Sequence, residues 1–297
     1  MPLPAPPARA SLQPRPEPLA MTLAASLKVH LRVLDVQGTT LRVVTPRPQT
    51  GVRFSTNYFH DTWHILSDRD GAVLFGGLLW GLAFQRLPGT LLLIDHPHLV
   101  PTPFDGDPPD PILVIPEGLT RFDPDLLRAL ALRLRRDPGP PRTIRWHTFG
   151  MPAAAIERAS ERRQPGFYAR SRRERQALEA RERMSRTSGF VCYTAPPELL
   201  RDHGLGIHAM RDWGSGYGGY YPLAELDRGD RWSYDGEFQL IPGFADRVSA
   251  AVTARRELLV GARPIAADDE RHAVYDRQAD ALGRLRAARR GATSRPR

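Results

Sequence analysis

The sequence predicts an α/β protein with a mixed or largely parallel sheet, flanking helices, an N-terminal β-hairpin and an Arg-rich helical insertion. Residues 26–47 alternate Val and Leu with polar residues on both sides of Gln37-Gly38, a pattern typical of a hairpin. The short apolar runs in 89–95 and 111–118 favour strands buried on both faces. Strand and helix patterns then alternate as far as residue 149, which indicates the α/β class.

The N-terminal part of the chain predicts a disordered segment, a segment of ambiguous structure and a buried helix. Residues 1–20 contain seven prolines and no apolar core region, so we expect a disordered segment with no signal peptide. Residues 54–68 fit a helix or a strand equally well. Residues 72–86 predict a buried helix, because as a helix the 13-residue apolar run at 72–84 spans about 20 Å and a bilayer core about 30 Å. We therefore expect no membrane association.

Clear end signals mark the next helix, which Asp123 caps and Pro124 begins. Residues 143–150 then predict a strand, and 152–186 predict two charged helices separated at Pro165-Gly166. Residues 189–210 predict a strand, a helix and a strand. Two more helices are expected near 243–260 and 268–290.

These patterns divide the chain into four parts. Residues 1–20 form the Pro-rich N-terminus, 21–150 an α/β core, and 151–187 a basic helical segment. Residues 188–297 supply a strand–helix–strand unit and the C-terminal helices, either as a separate domain or as one domain with 21–150.

The positive charge of the chain is confined to one region. Residues 121–190 carry 17 basic and 8 acidic groups, a net +9 that equals the net charge of the whole chain. The chain has one lysine, Lys28, and arginine abundance alone is explained by a GC-rich coding sequence. The position of the excess is informative, because codon bias does not concentrate charge in one region.

The strongest functional pattern lies inside this region. Arg170, Arg172, Arg173 and Arg175 have only Glu174 among them, and Phe167 and Tyr168 precede them. Arginine binds phosphate in a bidentate way and stacks on bases, as aromatic rings do, so these six residues are predicted to contact nucleic acid. The alternative is a solvated helix with pairs such as Glu179–Arg183.

A second candidate site follows the apolar run LLLI at 91–94. Asp95, His96 and His98 come directly after this predicted strand, Glu117 follows the next strand, and His147 lies in a third. If these strands are parallel, the five groups share one sheet edge, where open α/β sheets bind ligands, and are candidate catalytic residues. The alternative is that they cap backbone groups and face water.

The same histidines predict a metal site. His60 and His64 are four residues apart, a spacing that places both on one side of a helix or a strand. Imidazole and carboxylate are the usual ligands of zinc, manganese and iron. His60, His64, Asp95, His96 and His98 are therefore the candidate ligands of a divalent metal ion, the one cofactor that the sequence suggests.

Other patterns predict little chemistry. Cys192 is the only cysteine, so no intramolecular disulfide forms, and its place in an apolar strand indicates a buried, inert thiol. Gly214, Gly216 and Gly219 have the spacing of a dinucleotide motif but lack a following helix. The loop with Asp105, Asp107 and Asp110 lacks the remaining positions of a calcium loop.

We expect a cytoplasmic protein that associates with DNA or RNA, extended to metal-dependent phosphodiester hydrolysis if Asp95 and the histidines bind an ion. One alternative is a hydrolase of a small molecule that uses a metal or the same His and Asp residues. The other is a non-catalytic interaction protein with a basic docking face. The sequence leaves open whether the protein is an enzyme.

Overall fold

Two β-sheets and two buried helices form the centre of the molecule. The structure, a computed structural model, describes residues 27–119, 121–136, 139–161, 176–212, 218–227, 232–259 and 267–293. The predicted disordered segment 1–20 and the arginine cluster at 167–175 lie outside the described residues. The α/β class and the N-terminal hairpin are confirmed.

Eleven strands and six α-helices are described. The strands are β1 (Leu27–Val36), β2 (Thr39–Pro46), β3 (Ser55–Phe59), β4 (Thr62–Ser67), β5 (Thr90–Ile94), β6 (Ile112–Pro116), β7 (Arg142–Trp146), β8 (Arg183–Thr187), β9 (Phe190–Ala195), β10 (Gly219–Asp227) and β11 (Trp232–Leu240). The helices are α1 (Arg69–Ala83), α2 (Pro124–Arg136), α3 (Met151–Glu161), α4 (Pro197–Ala209), α5 (Phe244–Leu259) and α6 (Ala267–Thr293). Short 3-10 turns occur at Pro48–Thr50 and Met210–Asp212.

The first hairpin follows directly from its turn residues. Gln37 and Gly38 both have left-handed backbone angles, with φ of 53° and 75°. Such a pair matches the right-handed twist of the flanking strands, and glycine adopts this conformation without strain. Strands β1 and β2 consequently pair in antiparallel register from Val29–Pro46 to Val36–Thr39.

The larger sheet is mixed, with strand order β7-β1-β2-β5-β6-β9-β8. Only the β2–β5 and β6–β9 pairs are parallel. The two neighbouring apolar strands β5 and β6 are antiparallel, so the shared edge that parallel strands would give is not formed. Continuous apolar runs predict burial on both faces, but strand direction depends on the long connection between them.

Alternate residues of this sheet enter two separate cores. Leu92 and Ile94 of β5 pack with α1 and α4 on the face that we call the inner face. Leu91 and Leu93 pack with α2 on the opposite, outer face. This period-two alternation explains why every residue of β5 is apolar or buried: neither face of the strand meets water.

Helix α1 is buried along its whole length. The Asp68 carboxylate accepts a hydrogen bond from the Gly71 N–H at 2.9 Å and caps the helix, which confirms a buried helix in this region. Every residue from Gly71 to Ala83 is buried. A helix that is apolar all round needs cover on all sides, and the inner face of the sheet and α4 supply much of it.

Helix α2 begins and ends close to the predicted positions. The Asp123 carboxylate accepts from the Leu126 N–H at 2.8 Å, and Pro124 opens the helix. Leu126, Leu127 and Leu130 are buried against the outer face, as their helical spacing predicts.

The smaller sheet has strand order β10-β11-β4-β3. The ambiguous segment 54–68 is a hairpin, because His60 and Asp61 form a turn with φ of 51° and 59°. The C-terminal helices α5 and α6 are confirmed and pack against each other. No helix of the described ranges is long and apolar enough to cross a membrane.

Two predicted elements have another structure. The second charged helix was expected to reach residue 186, whereas 183–187 is strand β8, paired with β9. Residues 206–210 were expected to be a strand, whereas they end α4 and begin a 3-10 turn. In both segments the local pattern is overridden by pairing and packing with distant residues.

Candidate functional site

The strand end that follows β5 places Asp95 on the outer face of the large sheet. Asp95 continues the alternation of Leu91 and Leu93, which face α2. Burial raises the pKa of Asp95, and the nearby Arg32 guanidinium opposes that shift. Asp95 therefore lies near one guanidinium of the outer face, that of Arg32.

His98 is fully buried, and both of its ring nitrogens contact backbone carbonyl groups. Its Nδ1 lies 3.0 Å from the carbonyl oxygen of Val52, and its Nε2 lies 3.3 Å from that of Pro46. Burial lowers the pKa of His98, although the two carbonyl groups act in the opposite direction. Both ring nitrogens face backbone oxygens, so in this arrangement the imidazole directs no lone pair toward a metal ion. His96, by contrast, is exposed.

The other members of the predicted catalytic set lie apart. Glu117 follows β6, which is the antiparallel neighbour of β5, so Glu117 and Asp95 lie at opposite ends of the two strands. There it forms an ion pair with Arg181. His147 follows β7 and lies at the same end of the strands as Asp95. Strands β1 and β2 lie between β7 and β5, however, so the two strands are about 14 Å apart at 4.8 Å per strand.

His60 and His64 are also separated, because a turn interrupts the strand spacing. His60 lies in the β3–β4 turn and is exposed, whereas His64 lies in β4 and is buried. Among the residues that the structure describes, no three His, Cys, Asp or Glu side chains lie close enough to hold a metal ion. The shared metal site stays a prediction from the sequence.

His64 instead contacts Glu237 of β11. The His64 Nδ1 lies 2.8 Å from Asn57 Oδ1, and Nε2 lies 3.4 Å from Glu237 Oε1. Burial lowers the pKa of His64 to about 4, and burial raises the pKa of Glu237. With a pKa of about 4 the His64 imidazole is uncharged at neutral pH, so the contact is a buried polar pair and not an ion pair.

A second histidine–glutamate pair was not predicted. Glu182, directly before β8, lies 2.9 Å from Nε2 of His203 on α4 and accepts a hydrogen bond from the Tyr193 hydroxyl at 2.5 Å. All three residues are buried. Burial would raise the pKa of Glu182, but His203, Tyr193 and the backbone N–H of Ala224 offset this and lower it.

Five cations lie on the outer face of the large sheet, in two groups on either side of α2. Leu27 and Val29 face the inner core, so Lys28 between them faces outward, directly opposite Arg145 of β7. Arg32 also faces outward, beside Val43. On the other side of α2, Arg121 precedes the helix and Arg183 opens β8. We call these five residues the outer basic face: Lys28, Arg32, Arg121, Arg145 and Arg183.

The +9 segment builds much of this face. Of the strands, β7 and β8 are the two edges of the large sheet, and α2 covers the centre between them. Lys28, Arg121, Arg145 and Arg183 make no ion pair within the described ranges. Of the acidic groups beside α2, Asp125 pairs with Arg128 and Asp123 caps the helix, whereas Asp95 lies on the same face near Arg32.

The predicted contacts Phe167, Tyr168, Arg170, Arg172, Arg173 and Arg175 lie outside the described residues. The cations of the outer basic face were not predicted from the sequence, because Lys28 and Arg145 become neighbours only through strand pairing. Comparison of the chain with models of protein families, with curated proteins and with solved structures finds no match. The candidate interface therefore rests on the geometry of this chain alone.

Proposed function

We propose that the protein associates with nucleic acid through the outer basic face. One observation carries the proposal: Lys28 and Arg145 lie directly opposite each other on adjacent strands, and neither has an acidic partner among the described residues. Like charges in directly opposed positions destabilise a sheet. A polyanion laid across the face would remove that repulsion and release counterions.

The position of Asp95 supports the same proposal. A nucleic-acid-binding protein and a small-molecule enzyme should differ in the surroundings of Asp95. In the first, this strand end should open onto the basic face, and in the second it should line an enclosed pocket. Asp95 lies on the outer face, close enough to Arg32 for that guanidinium to act on its pKa. The strand end therefore lies near one cation of the outer basic face, which is compatible with the binding of a polymer there.

The proposal covers binding and does not extend to hydrolysis. A metal-dependent reaction needs histidine nitrogens or carboxylates free to bind the ion. The His98 nitrogens face two carbonyl oxygens, and His64 contacts Asn57 and Glu237. Phe167, Tyr168 and the arginines at 170–175 stay in the proposed interface on sequence grounds, with DNA and RNA both as candidates. We place the protein in the cytoplasm, where the single Cys192 stays reduced.

The test is a titration of short single-stranded and duplex DNA and RNA at two salt concentrations, measured by fluorescence anisotropy. The slope of log affinity against log salt is about −0.9 per phosphate contact on duplex DNA and about −0.7 on single strands. Lys28→Gln with Arg145→Gln should make the duplex slope shallower by about 2, because two contacts are lost.

Arg284→Gln is the matched control. Arg284 is an exposed arginine of α6 that pairs with Glu257, remote in sequence from the outer basic face. This substitution lowers the net charge without changing the interface, so affinity and slope should stay close to those of the wild type. A loss half as large as that of the double variant, which removes two charges where the control removes one, would show that only net charge matters. Absence of binding at low salt would contradict the proposal and favour the small-molecule enzyme.

A further inference from the structure

A groove with a volume of about 610 Å³ lies on the outer face between the start of α2 and the edge strand β8. Its lining combines apolar, hydroxyl and cationic side chains. Phe122, Leu127 and Ile115 give an apolar wall, and Arg121 and Arg183 lie at the same groove. The volume is within the range of about 300–1,000 Å³ typical of small-molecule sites.

The hydroxyl groups are placed by strand pairing. Ser185 of β8 is directly opposite Cys192 of β9, and Arg183 is opposite Thr194. Because Cys192 faces the outer core, Ser185, Arg183 and Thr194 share its face of the sheet. The groove therefore presents a guanidinium and two hydroxyl groups on a rigid strand pair.

The local charge balance leaves the two arginines available. Glu117 lines the groove but is paired with Arg181, and Asp123 uses its carboxylate to cap α2. Arg121 and Arg183 have no ion-pair partner among the residues that the structure describes. Two guanidinium groups beside an apolar wall are suited to a phosphate group attached to a flat apolar group, because guanidinium binds phosphate through two parallel hydrogen bonds.

We propose that this groove binds a phosphate monoester of mononucleotide size. The phosphate lies between Arg121 and Arg183, Ser185 and Thr194 donate hydrogen bonds to the ligand, and the base packs against Phe122 and Leu127. This site goes beyond association with a polymer, since it holds one small ligand and lies across α2 from Lys28 and Arg145. The groove shares Arg121 and Arg183 with the outer basic face but needs neither Lys28 nor Arg145, so it does not rest on polymer binding.

Isothermal titration calorimetry of the full chain with AMP, GMP, CMP and UMP tests the site, with inorganic phosphate and adenosine as partial ligands. We expect at least one nucleotide to bind with one-to-one stoichiometry, phosphate to bind more weakly, and adenosine to give no detectable heat. Arg183→Gln and Arg121→Gln should each raise the Kd at least tenfold. Ser185→Tyr should abolish binding because the new ring occupies the groove.

The other edge strand offers matched controls. Arg145→Gln and Thr143→Tyr change exposed residues of β7 that face outward, and neither lines the groove. They should leave the nucleotide Kd unchanged, and melting curves would show that all variants are folded. Absence of binding by all four nucleotides would overturn the proposal, as would binding that Arg183→Gln and Ser185→Tyr leave intact. Loss of DNA binding in the Lys28 and Arg145 variants, with nucleotide binding retained, would separate the two sites.

Discussion

Gly76 of α1 and Gly204 of α4 face each other so closely that neither position has room for a methyl group. A Cβ added to Gly76 would lie 2.6 Å from the Gly204 carbonyl oxygen, and one added to Gly204 would lie 2.9 Å from the Gly76 carbonyl oxygen. Both obstacles are backbone atoms, which cannot rotate away. The contact between the two central helices therefore depends on glycine on both sides.

Gly76→Ala is accordingly expected to destabilise the protein by about 1–3 kcal/mol, because the helices must separate to admit the methyl group. Gly283→Ala is the control, since a Cβ at this position on α6 meets no heavy atom within 4 Å. In that exposed helix alanine is favoured over glycine by up to about 1 kcal/mol. Urea denaturation measures both, and equal effects would show that the glycine contact is unimportant.

Glu182→Gln should be destabilising at neutral pH by about 1–3 kcal/mol, because Tyr193 and His203 lose a charged, buried hydrogen-bond partner. The pKa of Glu182 is lowered in the folded protein, so its stabilising contribution is present above the ordinary pKa of 4.5 and is lost as the pH falls through the lower folded value. The difference between wild type and variant should therefore shrink below about pH 4.5. A difference that stays constant with pH in urea denaturation would contradict this role of the carboxylate.

The protein's stability should also depend on pH through His64, over a higher pH range than through Glu182. Burial is the main cause that lowers its pKa from 6.5 to about 4, with His60 second. The folded protein favours the neutral imidazole of His64. Its contribution to the free energy of unfolding is therefore complete above pH 6.5 and declines as the pH falls toward 4. At pH 5 the wild type should have lost about 2 kcal/mol relative to His64→Gln, since each pKa unit corresponds to 1.36 kcal/mol. Parallel stability–pH curves would refute this assignment.

We expect Asp107 to stabilise the packing of α5 and α6 against the loop that contains Asp105, Asp107 and Asp110. It accepts hydrogen bonds from Arg255 of α5 and, at 2.9 Å, from Arg271 of α6. Asp107→Ala should cost about 1–3 kcal/mol and increase hydrogen exchange across α5 and α6, because Arg255 is partly buried. The control Asp125→Ala removes only an exposed pair with Arg128 and should cost less than about 0.5 kcal/mol. Unchanged exchange in the Asp107 variant would show that the helices dock without it.

The elements that the sequence predicts correctly are those with local signals. Gln37-Gly38 determines the first hairpin, and Asp68 and Asp123 cap helices whose apolar faces have helical spacing. The loop with Asp105, Asp107 and Asp110 forms contacts that its sequence does not indicate, since Asp110 pairs with Arg186. That pairing joins residues 76 positions apart, and no local pattern encodes it.

The candidate sites were harder to predict for the same reason. His64 meets Glu237, and Lys28 meets Arg145, only because distant strands pair. Glu182 has no distinguishing pattern within a charged run. His203 had one usable signal: it shares α4 with the buried Leu199, Leu200 and Ile207. A histidine within a largely apolar helix needs a polar partner, but its identity depends on the fold.

The position of the arginines on β7 and β8 has a consequence for self-association. Each edge of a sheet exposes unpaired backbone groups that can recruit a strand from another copy of the chain. Here any second molecule approaching edge to edge brings Arg142 and Arg145, or Arg183, against like charges. This repulsion is screened over about 8 Å at physiological salt, so it acts at the distance where strands would join. The charge on the edges thus opposes strand pairing between copies of the chain, and a polyanion that neutralised it would also remove that opposition.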